Sequence, residues 1–146
     1  MRAGDVDALL TTFASWGKTR ELFERYFRDH CDGTRTVLVA VVDGRLVGYA
    51  TLMWASGYPP FAAAGIPEIV DISIADAWQR RGIGTAIIRM HEQGALAGGR
   101  TVLGIGVECT PQYAYAARLY PFLGFEPDGR GIDPENNELH LTRRLV

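Results

Sequence analysis

The chain has 146 residues, 47% hydrophobic and 22% charged, enough for one domain (1–146) with a full core. Its formal charge is −2 and its pI about 5.9, so no global basic field draws it to nucleic acid. Met1-Arg2-Ala3-Gly4-Asp5 lacks the apolar core of an export signal, and the apolar run Val37 to Val42 is too short to cross a bilayer. Cys31 and Cys109 lack C-x-x-C spacing and read as free thiols of a reducing compartment, hence a cytoplasmic protein. His30, His91 and His140 lack metal-ligand spacing, so no metal is inferred.

In chain order, Val6 to Ala14 reads as a helix with Leu9, Leu10 and Phe13 on one side and Asp5 as its N-cap. Lys18 to His30 reads as a second helix whose apolar side is Leu22, Phe23, Tyr26 and Phe27, broken by Asp32-Gly33. Thr36 to Val42 and Arg45 to Trp54 form a hairpin through Asp43-Gly44. Gly57 to Pro67 is a loop rich in Gly, Pro and Ala. Its Tyr58-Pro59-Pro60-Phe61 is either a lid or a stiff connection. Glu68 to Ala75 is a strand, Ile83 to about Ala97 a helix ended by Gly98-Gly99, and Thr101 to Val107 a strand. Pro111 to Leu123 is a helix with an early proline, and Phe125 begins a strand interrupted at Pro127-Asp128-Gly129. The final strand, Glu138 to Val146, alternates Leu139 and Leu141 with His140 and Thr142.

The most informative stretch is Gln79-Arg80-Arg81-Gly82-Ile83-Gly84-Thr85, between a strand and a helix. Its glycines let the backbone approach a ligand, and the helix start leaves N–H groups unpaired at the positive end of the dipole. A pyrophosphate ligand fits. A dinucleotide does not, because Ile87 stands where the third glycine of G-x-G-x-x-G is needed. A nucleoside triphosphate does not either, because the only lysine is Lys18.

The spacing Gln-x-x-Gly-x-Gly after the strand Ile69 to Ile74 resembles the coenzyme A signature of the GNAT superfamily of N-acyltransferases. A second segment, Ala116-Ala117-Arg118-Leu119-Tyr120-Pro121-Phe122-Leu123-Gly124-Phe125, resembles that superfamily's A-x-x-L-Y-x-x-x-G-F motif. Leu119, Phe122 and Phe125 read as core; Tyr120 does not. The order of elements matches over nearly the whole chain. The family's first strand has only Met1 to Gly4 available.

The resemblance implies an α/β (α+β) GNAT fold: a mixed sheet of about six to seven strands, about four helices, and splayed fourth and fifth strands. It implies acyl transfer from acetyl-CoA to an amine, with a small molecule as the leading acceptor. A protein or peptide acceptor and a non-catalytic acyl-CoA-binding module are the alternatives. Arg80 to Thr85 would hold the pyrophosphate, with Gln79 in the motif. The backbone of Ile72, Ser73 and Ile74 would hold the pantetheine arm and thioester carbonyl, where an N–H also stabilises an oxyanion. Glu68 is the first candidate for the base that neutralises the amine, at the spacing used by histone acetyltransferases of the superfamily. Asp71, expected on the opposite strand face, is the reserve, and Glu108 is a third carboxylate. Tyr120 matches the family's general acid at the thiol sulfur. Tyr113 stands where the family often has asparagine, and its hydroxyl is a candidate contact to the coenzyme. Cys109 as an acyl-enzyme nucleophile lacks a matched base and reads as a small thiol. Dimerisation, common in the family, is compatible with the apolar final strands.

Overall fold

The structure, a computed structural model, describes all residues from Met1 to Val146. The elements are α1 (Asp5–Thr12), α2 (Arg20–Asp32), β1 (Arg35–Val42), β2 (Arg45–Met53), α3 (Pro59–Ala64), β3 (Glu68–Ile74), α4 (Ile83–Ala97), β4 (Val102–Glu108), α5 (Ala114–Phe122), β5 (Glu126–Asp133) and β6 (Glu138–Arg144). Six strands form one mixed sheet in the order β1-β2-β3-β4-β6-β5. β3 and β4 are parallel; the β1/β2, β4/β6 and β5/β6 pairs are antiparallel. Met1 to Gly4 form no strand; the Met1 ammonium donates to the Val37 carbonyl at 3.2 Å.

Local chemistry explains most boundaries. Asp43 and Gly44 have φ of 49° and 75°, the two left-handed positions a type I′ hairpin turn needs. Thr19 caps α2 by accepting the Leu22 N–H, so this helix starts after Lys18. Asp5 is not the cap of α1. Gly4 holds that position, while the Asp5 carboxylate takes the Arg2 N–H and lies in the first turn, at the positive end of the dipole. The loop expected over Gly57 to Pro67 contains α3, because Pro59-Pro60 fit a first helical turn and Gly65 closes it with φ of 65°. That adds a fifth α-helix to the expected four.

Contacts group the chain into two compact units, Met1–Trp54 with Val70–His91, and Ala55–Ile69 with Glu92–Val146. The first is built on buried Val6, Leu9, Phe13, Phe23, Tyr26, Val37 and Tyr49. The Tyr49 ring meets Phe13 and Phe23 edge-on at 5.3 and 5.5 Å, so truncating either phenylalanine would cost about 3–5 kcal/mol. Gly48 lets β2 approach β3: a Cβ there would lie 2.6 Å from Ile74 Cδ1 and 3.0 Å from the Ser73 carbonyl. The second unit is built on Phe61, Leu103, Ile105, Val107, Leu123, Phe125 and Leu141. Here Gly104 admits the Phe61 ring, whose edge would overlap any Cβ at that position.

β3 pairs with β4 at Glu68↔Gly104 and Ile69↔Ile105, and the ladder goes no further. This is the parting expected of the family's fourth and fifth strands. Beyond it, Asp71 takes φ of 53°, a left-handed residue inside a strand.

Candidate active site

The glycine loop lies within the first unit. Arg80 and Gly82 both take left-handed φ, 58° and 84°, so the chain reverses sharply before α4 begins at Ile83. Gln79 braces the turn by donating from Nε2 to the Ile74 carbonyl at 2.9 Å. Arg81 lies over the Trp78 ring at 5.1 Å. A Cβ on Gly82 would meet nothing within 4 Å, and one on Gly84 would just touch Ile74. Open space therefore lies beside the first-turn N–H groups of a 15-residue helix. Loop, open space and dipole together fit a pyrophosphate.

Glu68 lies in the second unit and is 5% exposed, not the exposed strand-entry residue its position after Pro67 would suggest. Its Oε2 accepts from the Ser56 hydroxyl, which also accepts the Tyr58 N–H. Its Oε1 is 3.7 Å from His140 Nε2, and that nitrogen is 3.5 Å from Glu138 Oε2. The His140 ring stacks on Tyr58 with centroids 3.6 Å apart and planes 2° apart, and Phe61 abuts its edge. The Tyr58 hydroxyl donates to Asp128, at the irregular β5 segment where the register shifts between Pro127 and Ile132. Tyr58 is thus tied to β5 through Asp128 and to β6 through His140. Burial pushes the Glu68 carboxyl above its ordinary range, and Glu138 adds to the rise; Ser56 and His140 offset part of it.

Asp71, in the first unit, sits among donors. Its Oδ1 accepts from Lys18 at 2.9 Å and Ser73 at 3.0 Å. Its Oδ2 accepts from Tyr26 at 2.8 Å and Tyr49 at 2.7 Å. Burial alone would raise this carboxyl, but Lys18 and the two phenols outweigh it and hold the group below its ordinary range. Burial, with the Asp71 charge beside them, pushes both phenols up, so they remain donors.

Tyr120 is 8% exposed, and burial, with Tyr113 adding to it, pushes its phenol up to about 12. It is therefore a neutral O–H at physiological pH. Tyr113 ends a short 3-10 turn, Pro111–Tyr113, before α5 and is 39% exposed. Phe125 is core at 1% exposure, but Phe122, expected there too, is 86% exposed; Leu123 is buried instead. The buried pair here is Tyr120 and Leu123, three residues apart, one position on from Leu119 and Phe122. Glu108 and both cysteines are exposed. Sequence reasoning passed over His140, Ser56 and Lys18 as site residues; it read Tyr58 as part of a lid or a stiff connection and Asp128 as turn chemistry that could face the acceptor. Only His140 carried a usable signal, a histidine between two leucines of a sheet strand.

With this geometry in place, comparison defines the class. The chain matches the acetyltransferase (GNAT) family over residues 5–125 and belongs to it. An N-acetyltransferase from Staphylococcus aureus Mu50 has 15% identity and a TM-score of 0.78, covering 100% of this chain and 96% of its own. The ribosomal-protein-alanine N-acetyltransferase from Brucella melitensis has 20% identity and a TM-score of 0.76, covering 99% and 96%. The PaiA N-acetyltransferase from Thermoplasma acidophilum, solved in complex with coenzyme A, has 14% identity and a TM-score of 0.69, covering 99% and 95%. No curated protein matches significantly in sequence. No helix is long and apolar enough to cross a membrane.

Proposed function

We propose that the chain is a single N-acyltransferase domain that moves an acetyl group from acetyl-CoA to a primary amine of a small molecule by direct attack in a ternary complex. Glu68 takes the amine's proton. An alkylamine of pKa about 10.4 arrives charged and must lose that proton to attack. A carboxyl held above its ordinary range by burial is a better matched base than a solvated one. This buried, Ser56-bonded carboxylate is the observation that carries the proposal. The backbone N–H groups of Arg80 to Thr85 hold the pyrophosphate, and Ile72 to Ile74 the pantetheine arm. Tyr113 adds a polar contact to the donor. Tyr120 donates a proton to the departing sulfur and is restored by the second proton that the nitrogen sheds as the amide forms.

Asp71 is assigned a structural part, because all its donors are already in place. A purely acyl-CoA-binding module would have no use for a raised carboxyl, so catalysis is the favoured reading.

Two measurements test this. Calorimetric titration with acetyl-CoA, with NAD and ATP as controls, is expected to show saturable binding of the first alone. Thiol release is then followed over a panel of diamines, arylalkylamines, aminoglycosides and an alanine-initiated peptide. Fastest turnover of a small amine supports the proposal; fastest turnover of the peptide replaces the acceptor class. Tyr120→Phe is expected to lower kcat by about 10²-fold or less with donor affinity little changed. An unchanged kcat removes Tyr120 from the mechanism.

A further inference from the structure

Each turnover at neutral pH must release one proton. An ammonium and a thioester become a neutral amide and a thiol, so one proton is left over. If Glu68 takes it, Glu68 must hand it on before the next amine binds, yet its side chain is 7% exposed. A buried base needs an exit for its proton.

The structure supplies one. His140 Nε2 lies 3.7 Å from Glu68 Oε1 and 3.5 Å from Glu138 Oε2. Side-chain exposure along this path is 7% for Glu68, 3% for His140 and 38% for Glu138. It runs from a buried carboxylate, through a buried imidazole, to a carboxylate in contact with water. β4 places no side chain in the gap, since residue 106, paired with His140, is glycine. A Cβ there would lie 3.4 Å from Glu68 Oε1 and 3.5 Å from His140 Nε2. The ring is held in plane by Tyr58 on one face and Phe61 at its edge, and Tyr58 is anchored by Asp128. Its Nδ1 is buried and has no hydrogen-bond partner.

We infer that His140 is a relay residue that discharges Glu68 by passing its proton to Glu138; the inference rests on Glu68 being the base. The O–H bond on Glu68 Oε1 breaks as an N–H bond forms at His140 Nε2. That N–H then breaks as an O–H forms on Glu138 Oε2, which loses the proton to water. The step requires the Nδ1–H tautomer, in which Nε2 has the lone pair that accepts and Nδ1 keeps its hydrogen throughout. Glu68 ends as the carboxylate with which it began. The gaps of 3.5 and 3.7 Å are longer than a hydrogen bond, and because the ring is clamped it is the two carboxylates that turn toward Nε2 to close them.

The test uses saturating acetyl-CoA and the fastest amine from the panel above. His140→Gln is expected to lower kcat about tenfold, raise the solvent deuterium isotope effect on kcat, and leave the KM for acetyl-CoA unchanged. In His140→Ala, added imidazoles are expected to restore turnover in proportion to their basicity. A ring that merely filled space would be replaced equally well by any of similar size. A kcat within twofold of wild type with an unaltered isotope effect, or rescue indifferent to basicity, overturns the relay. Should the His140 variants fail to fold, Glu138→Gln at the surface decides. A several-fold loss of kcat at unchanged melting temperature supports the relay, and no loss overturns it. Glu68→Gln is measured alongside. If it is inactive while the His140 and Glu138 variants match wild type, only the relay falls. If it turns over normally, the assignment of the base falls first.

Discussion

Glu68 and Asp71 are three residues apart on one strand, yet their surroundings drive them in opposite directions. Glu68 has one hydroxyl donor, a histidine at 3.7 Å and little water; burial dominates and its carboxyl is raised. Asp71 has a lysine, two phenols and a serine; these donors dominate and its carboxyl is lowered. The two networks share no residue. A carboxyl's task is set by the count and charge of its donors, not by residue type or by the strand that carries it. The raised group is suited to exchanging protons. The lowered one is suited to tying Lys18 and two aromatic side chains to the left-handed turn of β3.

The comparison breaks most visibly at Glu68. Glu68→Gln is expected to lower kcat by about 10²- to 10³-fold, while acetyl-CoA still binds in calorimetry. In the wild type, kcat/KM is expected to fall on the acid side with a midpoint above the ordinary glutamate range, because only the ionised form accepts the amine's proton. At Asp71 the loss is in stability. Asp71→Ala strands Lys18 and both phenols and puts alanine at a left-handed φ of 53°. Urea denaturation should register a loss of about 3 kcal/mol.

His91 complicates the acid side and can be removed. It is 1% exposed, its Nε2 meets the Ala50 carbonyl at 3.2 Å, and burial lowers it to about 4. Between about pH 4 and its ordinary value near 6.5 the unfolded chain binds more protons at this site, so stability falls as pH drops through that window. The loss at pH 5 is about 2 kcal/mol. His91→Gln is expected to flatten the melting temperature between pH 7 and 5. The Asp71 contribution is present above the ordinary aspartate range and is lost as pH falls through its lowered folded value. The smallest effect has the opposite sign. Above its ordinary range, Glu68 costs the folded state the ionisation of a buried carboxyl, so Glu68→Gln is expected to melt slightly higher than wild type at pH 7.

The fold was legible where local chemistry dictates it. Asp43-Gly44 set the hairpin, Gly82 and Gly84 set the start of α4, and Gly98-Gly99 its end. It was less legible where two local signals competed. Pro59 and Pro60 read as loop residues, but both suit a first helical turn. Of the candidate site, Glu68, Asp71, Tyr113, Tyr120 and the glycine loop were named from the sequence. The states of the two carboxylates were not legible, because their partners come from distant positions. Lys18, Tyr26 and Tyr49 reach Asp71 across 53, 45 and 22 residues. His140 reaches Glu68 through the placement of β6 beside β4, and spacing along the chain carries no trace of that contact.

The most direct test is a carbon-13 NMR titration of the side-chain carboxyls, with Glu68 and Asp71 assigned by their Gln and Asn variants. We predict that Glu68 titrates above the ordinary glutamate range and Asp71 below the ordinary aspartate range in the same folded sample. A Glu68 midpoint at or below the ordinary value, or an Asp71 midpoint at or above it, would contradict the division of labour proposed for β3.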